Sequence, residues 1–233
     1  MKAKVPLVLL PGLLLDGRLW QAQIAGLAVL AEVSIGDLTR GETIAAMAED
    51  VLAAAPERFA LAGLSLGGYV ALAIAAQAPA RVTRLALIAT SARPDTAAQR
   101  ARRQALMRLA RHGRFQGVTP RLLPYYVHAD RLEDRTVTEP VLAMAKTLGR
   151  EVFLRQTAAV MARADARPRL AAIACPTLVL CGREDRATPM PLSFEIAESI
   201  PGADLVVLGR CGHLPPSERP RTTTALLRGW LTR

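Results

Sequence analysis

The sequence predicts an α/β fold: a mostly parallel sheet of about six strands, helices on both faces, and a helical insertion before the last two strands. Three observations predict it. Short apolar runs alternate with amphipathic helical stretches, the strand runs lack polar alternation, and the alternation stops after Ser91 and resumes near Thr177. Parallel neighbours need crossovers, usually helical and right-handed. Continuously apolar strands suit a sheet covered on both faces.

VPLVLL reads as a buried strand ending at the Pro11-Gly12 turn. With two lysines in front, the segment MKAKVPLVLLPGLLLDG imitates a secretion signal, but the Pro-Gly break and the lack of a small-residue cleavage site predict a retained strand. DGRLWQAQIAGLA follows as helix, LAEVSIGD as strand, ETIAAMAEDVLAAAP as helix, FALAGL as strand, SLGGYVALAIAAQAP as helix and RVTRLALIAT as strand. These make residues 1–92 the first part of the core. Residues 93–170 read as an inserted helical cap, with stretches such as TAAQRARRQALMRLARHG and REVFLRQTAAVMARAD. Pro94, Pro120, Pro124, Pro140 and Pro168 punctuate it, as expected where helices end and restart. TLVLCG, ADLVVLG and a terminal helix near ERPRTTTALLRGWL return the chain to the core over 171–233.

A chain of 233 residues, 51% apolar, can build one substantial core. Three cysteines without paired spacing read as free thiols of a reducing compartment, so a cytoplasmic location is expected. No apolar run reaches the roughly 20 residues of a membrane span, and the protein is expected to be soluble. The net charge is +10, and residues 93–169 hold 16 basic against 7 acidic side chains, so the basicity belongs to the insertion. Such charge can attract nucleic acid, an anionic membrane or an acidic protein. An arginine-rich solvated surface accounts for it without any of them, and neither a nucleic-acid nor a membrane partner is expected. No GxxxxGK[ST] or GxGxxG motif supports a phosphate site.

Chemistry concentrates at Gly63-Leu64-Ser65-Leu66-Gly67, between a strand and a helix. Such a junction forces the serine into a tight turn, and the flanking glycines let strand and helix approach closely. An alcohol is a poor nucleophile near neutral pH and needs a base held in the right tautomer by a carboxylate. Of three histidines, His112 ends an arginine-rich helix and His128 lies in the insertion. His213 follows the last strand, at the carboxyl edge where open α/β sheets gather catalytic groups. Asp185, directly after TLVLCG, is the candidate acid, with Glu184 and Asp95 as alternatives. Chain order favours Ser65, Asp185, His213. Cys181 and Cys211-x-His213 lack the paired spacing of a structural zinc site and read as buried thiols.

LLPGLLLDGRLW, GLSLGG, GREDRATP and CGHLPPSERP, with a helical cap between the fourth and fifth strands, together resemble the α/β-hydrolase superfamily over essentially the whole chain. The resemblance implies an α/β-hydrolase fold in a compact version without two leading strands. It implies Ser65 as nucleophile, His213 as base and Asp185 as its orienting acid. It further implies an oxyanion hole from the backbone amides of Leu13 and Leu66. Pro11-Gly12 stands where many relatives have His-Gly, and proline stiffens that loop by another route.

The expected activity is cleavage of a small carboxylic ester by a serine carboxylesterase without a cofactor or metal. An apolar acyl pocket is expected from Leu13, Leu14, Leu66, Leu214, Phe115, Tyr125, Tyr126 and Phe153. Helical angles place Arg100, Arg103, Arg108, Arg111 and Arg114 on one face, opposite Ala101, Ala105 and Leu109. That face resembles the basic cap of the pimeloyl-carrier-protein methyl ester esterases, which implies a docking surface for an acidic carrier protein as an alternative. A non-catalytic binding protein is the third reading; the presence of all three catalytic roles argues against it.

Overall fold

The computed structural model describes residues 3–113, 115 and 117–233. The core elements run β1 (Val5–Leu10), α1 (Gln21–Leu27), β2 (Ala31–Ile35), α2 (Ile44–Ala54), β3 (Phe59–Leu64), α3 (Leu66–Gln77) and β4 (Val82–Ile88). Then come α4 (Ala97–His112), the single turn α5 (Leu123–Tyr126) and α6 (Arg135–Ala162). The chain closes with β5 (Thr177–Gly182), α7 (Pro191–Ser199), β6 (Asp204–Leu208), the short α8 (Pro215–Glu218) and α9 (Pro220–Thr232). The six strands form one sheet in the order β2-β1-β3-β4-β5-β6, every neighbouring pair parallel.

Alternation of side chains across the pleat divides the core in two. Leu7, Leu9, Ala60, Ala62, Leu64, Ile88 and Leu180 face Trp20, Leu27, Leu227 and Trp230 on the α1 and α9 side. Val8, Leu10, Leu61, Leu85, Leu87 and Val179 face Met47, Val51, Val70, Ile74 and Ile196 on the α2, α3 and α7 side. β3 and β5 are buried throughout, because both of their faces are covered. The edge strands β2 and β6 are partly exposed, which fits their more polar sequences AEVSI and DLVVL.

From β1 the chain moves outward to β2, returns past β1 to β3, and continues in one direction to β6. The reversal leaves a crevice at the carboxyl ends of β1 and β3, the topological switch point where open α/β sheets bind ligands. Leu10 pairs with Gly63, so Pro11-Gly12 and Leu64-Ser65 emerge there side by side. α4, α5 and α6 supply further walls of the cavity at this edge. α4 starts at a capping box, Thr96 accepting from the Gln99 amide while the Gln99 side chain accepts from the Thr96 amide. α6 breaks at Gly149, whose φ of 77° lies outside the helical region.

The buried face of α4 differs from the one expected. Met107 and Ala110 are buried, whereas Ala101 and Leu109 are exposed, Leu109 by 69%. Arg103 turns inward to a buried carboxylate, Asp95. The ion pair holds Arg103 on the same side of the helix as the buried Met107 and Ala110.

The glycines of the Ser65 turn have a measurable reason. A Cβ on Gly63 would lie 2.2 Å from the Gly67 carbonyl oxygen, and one on Gly67 would lie 2.3 Å from the Leu10 carbonyl oxygen. Both obstacles are backbone and cannot rotate away. Gly67→Ala is therefore expected to lower unfolding free energy by about 1–3 kcal/mol, the range for overpacked cores; urea denaturation measures it, and an unchanged midpoint would contradict the close packing of α3 on β1.

Candidate active site

Ser65 sits between β3 and α3 with φ 55° and ψ −111°. A non-glycine residue holds a positive φ only when its surroundings impose it, at a cost of roughly 1–3 kcal/mol. Here the Ser65 amide donates to the Ile88 carbonyl at 2.9 Å. Its carbonyl accepts from the Gly68 amide at 2.9 Å and from the Thr90 hydroxyl at 2.8 Å. The side chain, half-buried, opens into a cavity of about 130 Å³ that also reaches His213 and Thr188.

His213 follows β6 on a buried loop, and its Nδ1 lies 2.8 Å from Asp185 Oδ2. Asp185 follows β5, the strand beside β6, which brings residues 28 apart into contact. Its side chain is fully enclosed, and its other acceptor sites are filled. Oδ1 takes the Ala187 and Thr188 amides at 2.8 and 2.9 Å, while the Thr188 hydroxyl donates to Oδ2 at 2.8 Å. Burial alone would raise the Asp185 carboxyl. The charge and hydrogen bond of His213, with the Thr188 bonds, outweigh it and hold the group below its ordinary value.

With the ionised carboxylate at Nδ1, that nitrogen carries the proton and Nε2 is left as the acceptor. Thr188 Oγ1 is 3.3 Å from Nδ1, on the carboxylate side of the ring. Its proton is directed to Asp185. Thr188 therefore braces the acid, and a hydroxyl to be deprotonated by the imidazole must face Nε2.

Leu13 and Leu66 line the cavity beside Ser65. Their amides have no acceptor among the described residues, and Leu66 opens α3, where helix amides lack intrahelical partners. The loop that carries Leu13 is stitched to α6. The Leu14 amide donates to Gln156 Oε1 at 2.9 Å while Gln156 Nε2 donates to the Leu38 carbonyl at 3.0 Å, and the Asp16 amide donates to the Met144 sulfur.

Leu66, Leu214, Tyr125, Tyr126 and Phe153 all line the cavity. Leu14 does not; it is buried, with φ 56°, and its neighbours Leu13 and Leu15 take the lining positions. Phe115 is also absent from the lining and stacks on Phe153 at 5.2 Å between centroids. Glu184 accepts from the Cys211 amide and Asp95 pairs with Arg103 and Arg163, so neither contacts His213. His112 is exposed at the end of α4. His128 accepts from the Asp130 amide. Cys181 and Cys211 are buried, burial raising both thiols, and no group of three or more metal-ligating side chains occurs among the described residues. No described helix is long and apolar enough to cross a membrane.

The model of the alpha/beta hydrolase family matches residues 7–226. The chain belongs to the alpha/beta hydrolase family. The hydrolase is similar to the pimeloyl-[acyl-carrier protein] methyl ester esterase of Vibrio campbellii, at 29% identity over 90% of this chain and 87% of that one. Among solved structures it is similar to a malate-bound thermophilic esterase from Thermogutta terrifontis, with 30% identity, TM-score 0.88, and coverage of 99% and 90%. The enol-lactonase from Burkholderia xenovorans LB400 matches with 28% identity, TM-score 0.87, and coverage of 99% and 92%. These likenesses establish the α/β-hydrolase fold and a hydrolase family with esterase relatives.

Glu218, unremarked in the sequence, organises the histidine loop. Fully buried in α8, it accepts the Gly212 amide on both oxygens, the Leu214 amide at 2.9 Å and the His128 amide at 2.7 Å. The amides on both sides of His213 are thus tied to one carboxylate, and the His213 amide itself donates to the Tyr126 carbonyl at 2.7 Å. Its sequence context PPSERP resembles a surface turn, and only the H-x-x-x-x-E spacing from His213 offered a signal.

Two predictions follow from these carboxylates. Glu218→Gln turns an acceptor of backbone amides into a partial donor and leaves at least one buried amide unpaired, at a cost of roughly 1–3 kcal/mol. We expect a lower melting temperature together with a fall in kcat that exceeds any change in KM; a variant with wild-type stability would refute this role. Asp185 has a depressed folded pKa, so its stabilisation is complete above the unfolded-state value of about 3.9 and is lost as pH falls through the folded value. The stability gap between wild type and Asp185→Asn should therefore narrow as pH falls below about 4, as read by denaturant midpoints.

Proposed function

We propose that the protein is a serine hydrolase that cleaves a small carboxylic ester through an acyl-enzyme on Ser65. The observation that carries the reading is the Asp185–His213 pair opening onto the same cavity as a serine held at positive φ. In this cycle Ser65 Oγ attacks the ester carbonyl while His213 Nε2 takes its proton, and Asp185 steadies the imidazolium at Nδ1. The oxyanion meets the Leu13 and Leu66 amides, assisted by the positive end of α3. His213 then protonates the departing alcohol. Water, deprotonated by the same imidazole, releases the acid and restores the serine.

A cavity of about 130 Å³ compares with the 150 Å³ apolar cavity that holds benzene. A short acyl group suits it. An ester carried on an acidic carrier protein is the second reading, favoured by the activity for which the Vibrio relative is named. On the surface that would dock it, Arg103 is paired with Asp95 and Arg100 donates to the Met161 carbonyl. Arg108 and Arg111 are exposed, and Arg114 lies outside the described residues.

Ser65→Ala should lower p-nitrophenyl butyrate turnover by a factor on the order of 10⁴ or more, and a phosphonate inhibitor should label wild type alone. Substantial activity in the variant would remove Ser65 from the reading. Among the carboxylates, Asp185→Asn should lower kcat by about 10³–10⁴, far more than Glu184→Gln or Asp95→Asn; steady-state kinetics on purified variants ranks them.

A further inference from the structure

The cavity wall is electrically one-sided. Apart from the imidazole, its charged side chains among the described residues are Arg102 and Arg103, and no carboxylate lines it. Both arginines come from α4, and with Gln99 and Leu106 they occupy the spacing of one helical face.

The three polar groups on this face are presented as donors. Arg103 Nε is 2.9 Å from Asp95 Oδ2, but the same buried carboxylate also holds Arg163 Nη1 at 2.6 Å. Two guanidinium groups sharing one carboxylate leave a net positive charge. The Gln99 side-chain oxygen is spent on the Thr96 amide, so its NH₂ group is what remains. Arg102 takes part in no ion pair among the described residues. Its guanidinium carbon lies 4.5 Å from the centre of the Tyr125 ring, which itself lines the cavity.

An arginine that serves only solubility gains little from being laid against a cavity wall. Stacking on an aromatic face leaves its in-plane N–H groups open for a bidentate carboxylate. Much of the remaining lining is apolar, including Leu13, Leu66, Val141, Phe153 and Leu214. The cavity can thus hold a short apolar spacer between an ester at Ser65 and an anion at Arg102.

We propose that the substrate is a small ester bearing a free carboxylate, such as a half-ester of a short dicarboxylic acid, and that Arg102, with Arg103 and Gln99, selects it. This rests on the esterase reading and names its substrate class. The bond broken is the ester C–O bond; water supplies the new C–OH, the alcohol leaves, and the anchored carboxylate is unchanged.

The test compares monomethyl glutarate with the neutral methyl pentanoate and dimethyl glutarate, and the butyryl ester of glycolic acid with ethyl butyrate, in wild type, Arg102→Gln and Arg102→Glu. A charge-assisted hydrogen bond of about 1.5–3 kcal/mol corresponds to a preference in kcat/KM of about ten- to a hundredfold for a carboxylate-bearing ester. The preference should shrink about tenfold in Arg102→Gln, invert in Arg102→Glu, and weaken between 0.01 and 1 M salt as the screening length falls from about 30 to 3 Å. Equal turnover of charged and neutral esters, or activity confined to an acyl group on an acidic carrier protein, would overturn the proposal. Calorimetric titration of Ser65→Ala with glutarate and with butyrate separates the two readings. Arg102-dependent glutarate binding without any ester turnover would sink the esterase reading and keep the anion site. Ester turnover with no glutarate preference would do the reverse.

Discussion

The close approach of α3 to the carboxyl ends of β1 and β3 is the constraint on which the site depends. Two absent Cβ atoms, at Gly63 and Gly67, allow a helix to begin with only Ser65 between it and the end of a buried strand. The chain can make that turn only by holding Ser65 at a positive φ, and the strain is opposed by hydrogen bonds from β4 and Thr90. The serine hydroxyl, the first amides of α3 and the loop after β1 are therefore brought together by backbone packing. Side-chain chemistry is added to a geometry that already exists.

Two buried carboxylates then organise the far side of the crevice, and they do so differently. Asp185 spends one oxygen on backbone amides and the other on Thr188 and His213, so its charge reaches the imidazole. Glu218 spends both oxygens on backbone amides around His213 and never touches the ring. The first sets the tautomer; the second sets where the ring is. A buried carboxylate is tolerable in either place because its acceptor capacity is met by donors, which offsets much of the desolvation cost.

This division explains what could be read from the sequence. The strands were legible because both sheet faces are covered and the runs are continuously apolar. The Ser65 turn was legible because it is local: glycines, strand and helix lie within a few residues. Asp185 and His213 were legible through chain order and strand ends, and the structure places them in contact. Glu218 was not, since its partners are backbone amides, which no side-chain pattern reports. The buried side of α4 is not legible from its own apolar stripe, since Arg103 pairs with Asp95, which lies outside the helix. Leu15 lines the cavity where Leu14 is expected, and the positive φ of Leu14 between them is invisible in the sequence.

The helices between β4 and β5 are joined to the loops after β1 and β6 by two kinds of contact. α6 reaches the loop after β1 through the buried amide of Gln156, and α5 reaches the histidine loop through the Tyr126 carbonyl. These are neutral bonds to backbone, short in range and insensitive to ionic strength. α4 is tied instead through Arg103 and Asp95, with Arg102 resting on Tyr125. The contacts that hold the loops around Ser65 and His213 are thus separate from the part that supplies charge to the cavity. Among the described residues no hydrogen bond joins Arg102 to Ser65, His213 or the amides of Leu13 and Leu66, so a change on the exposed edge of α4 alters the charge at the cavity wall without breaking their contacts.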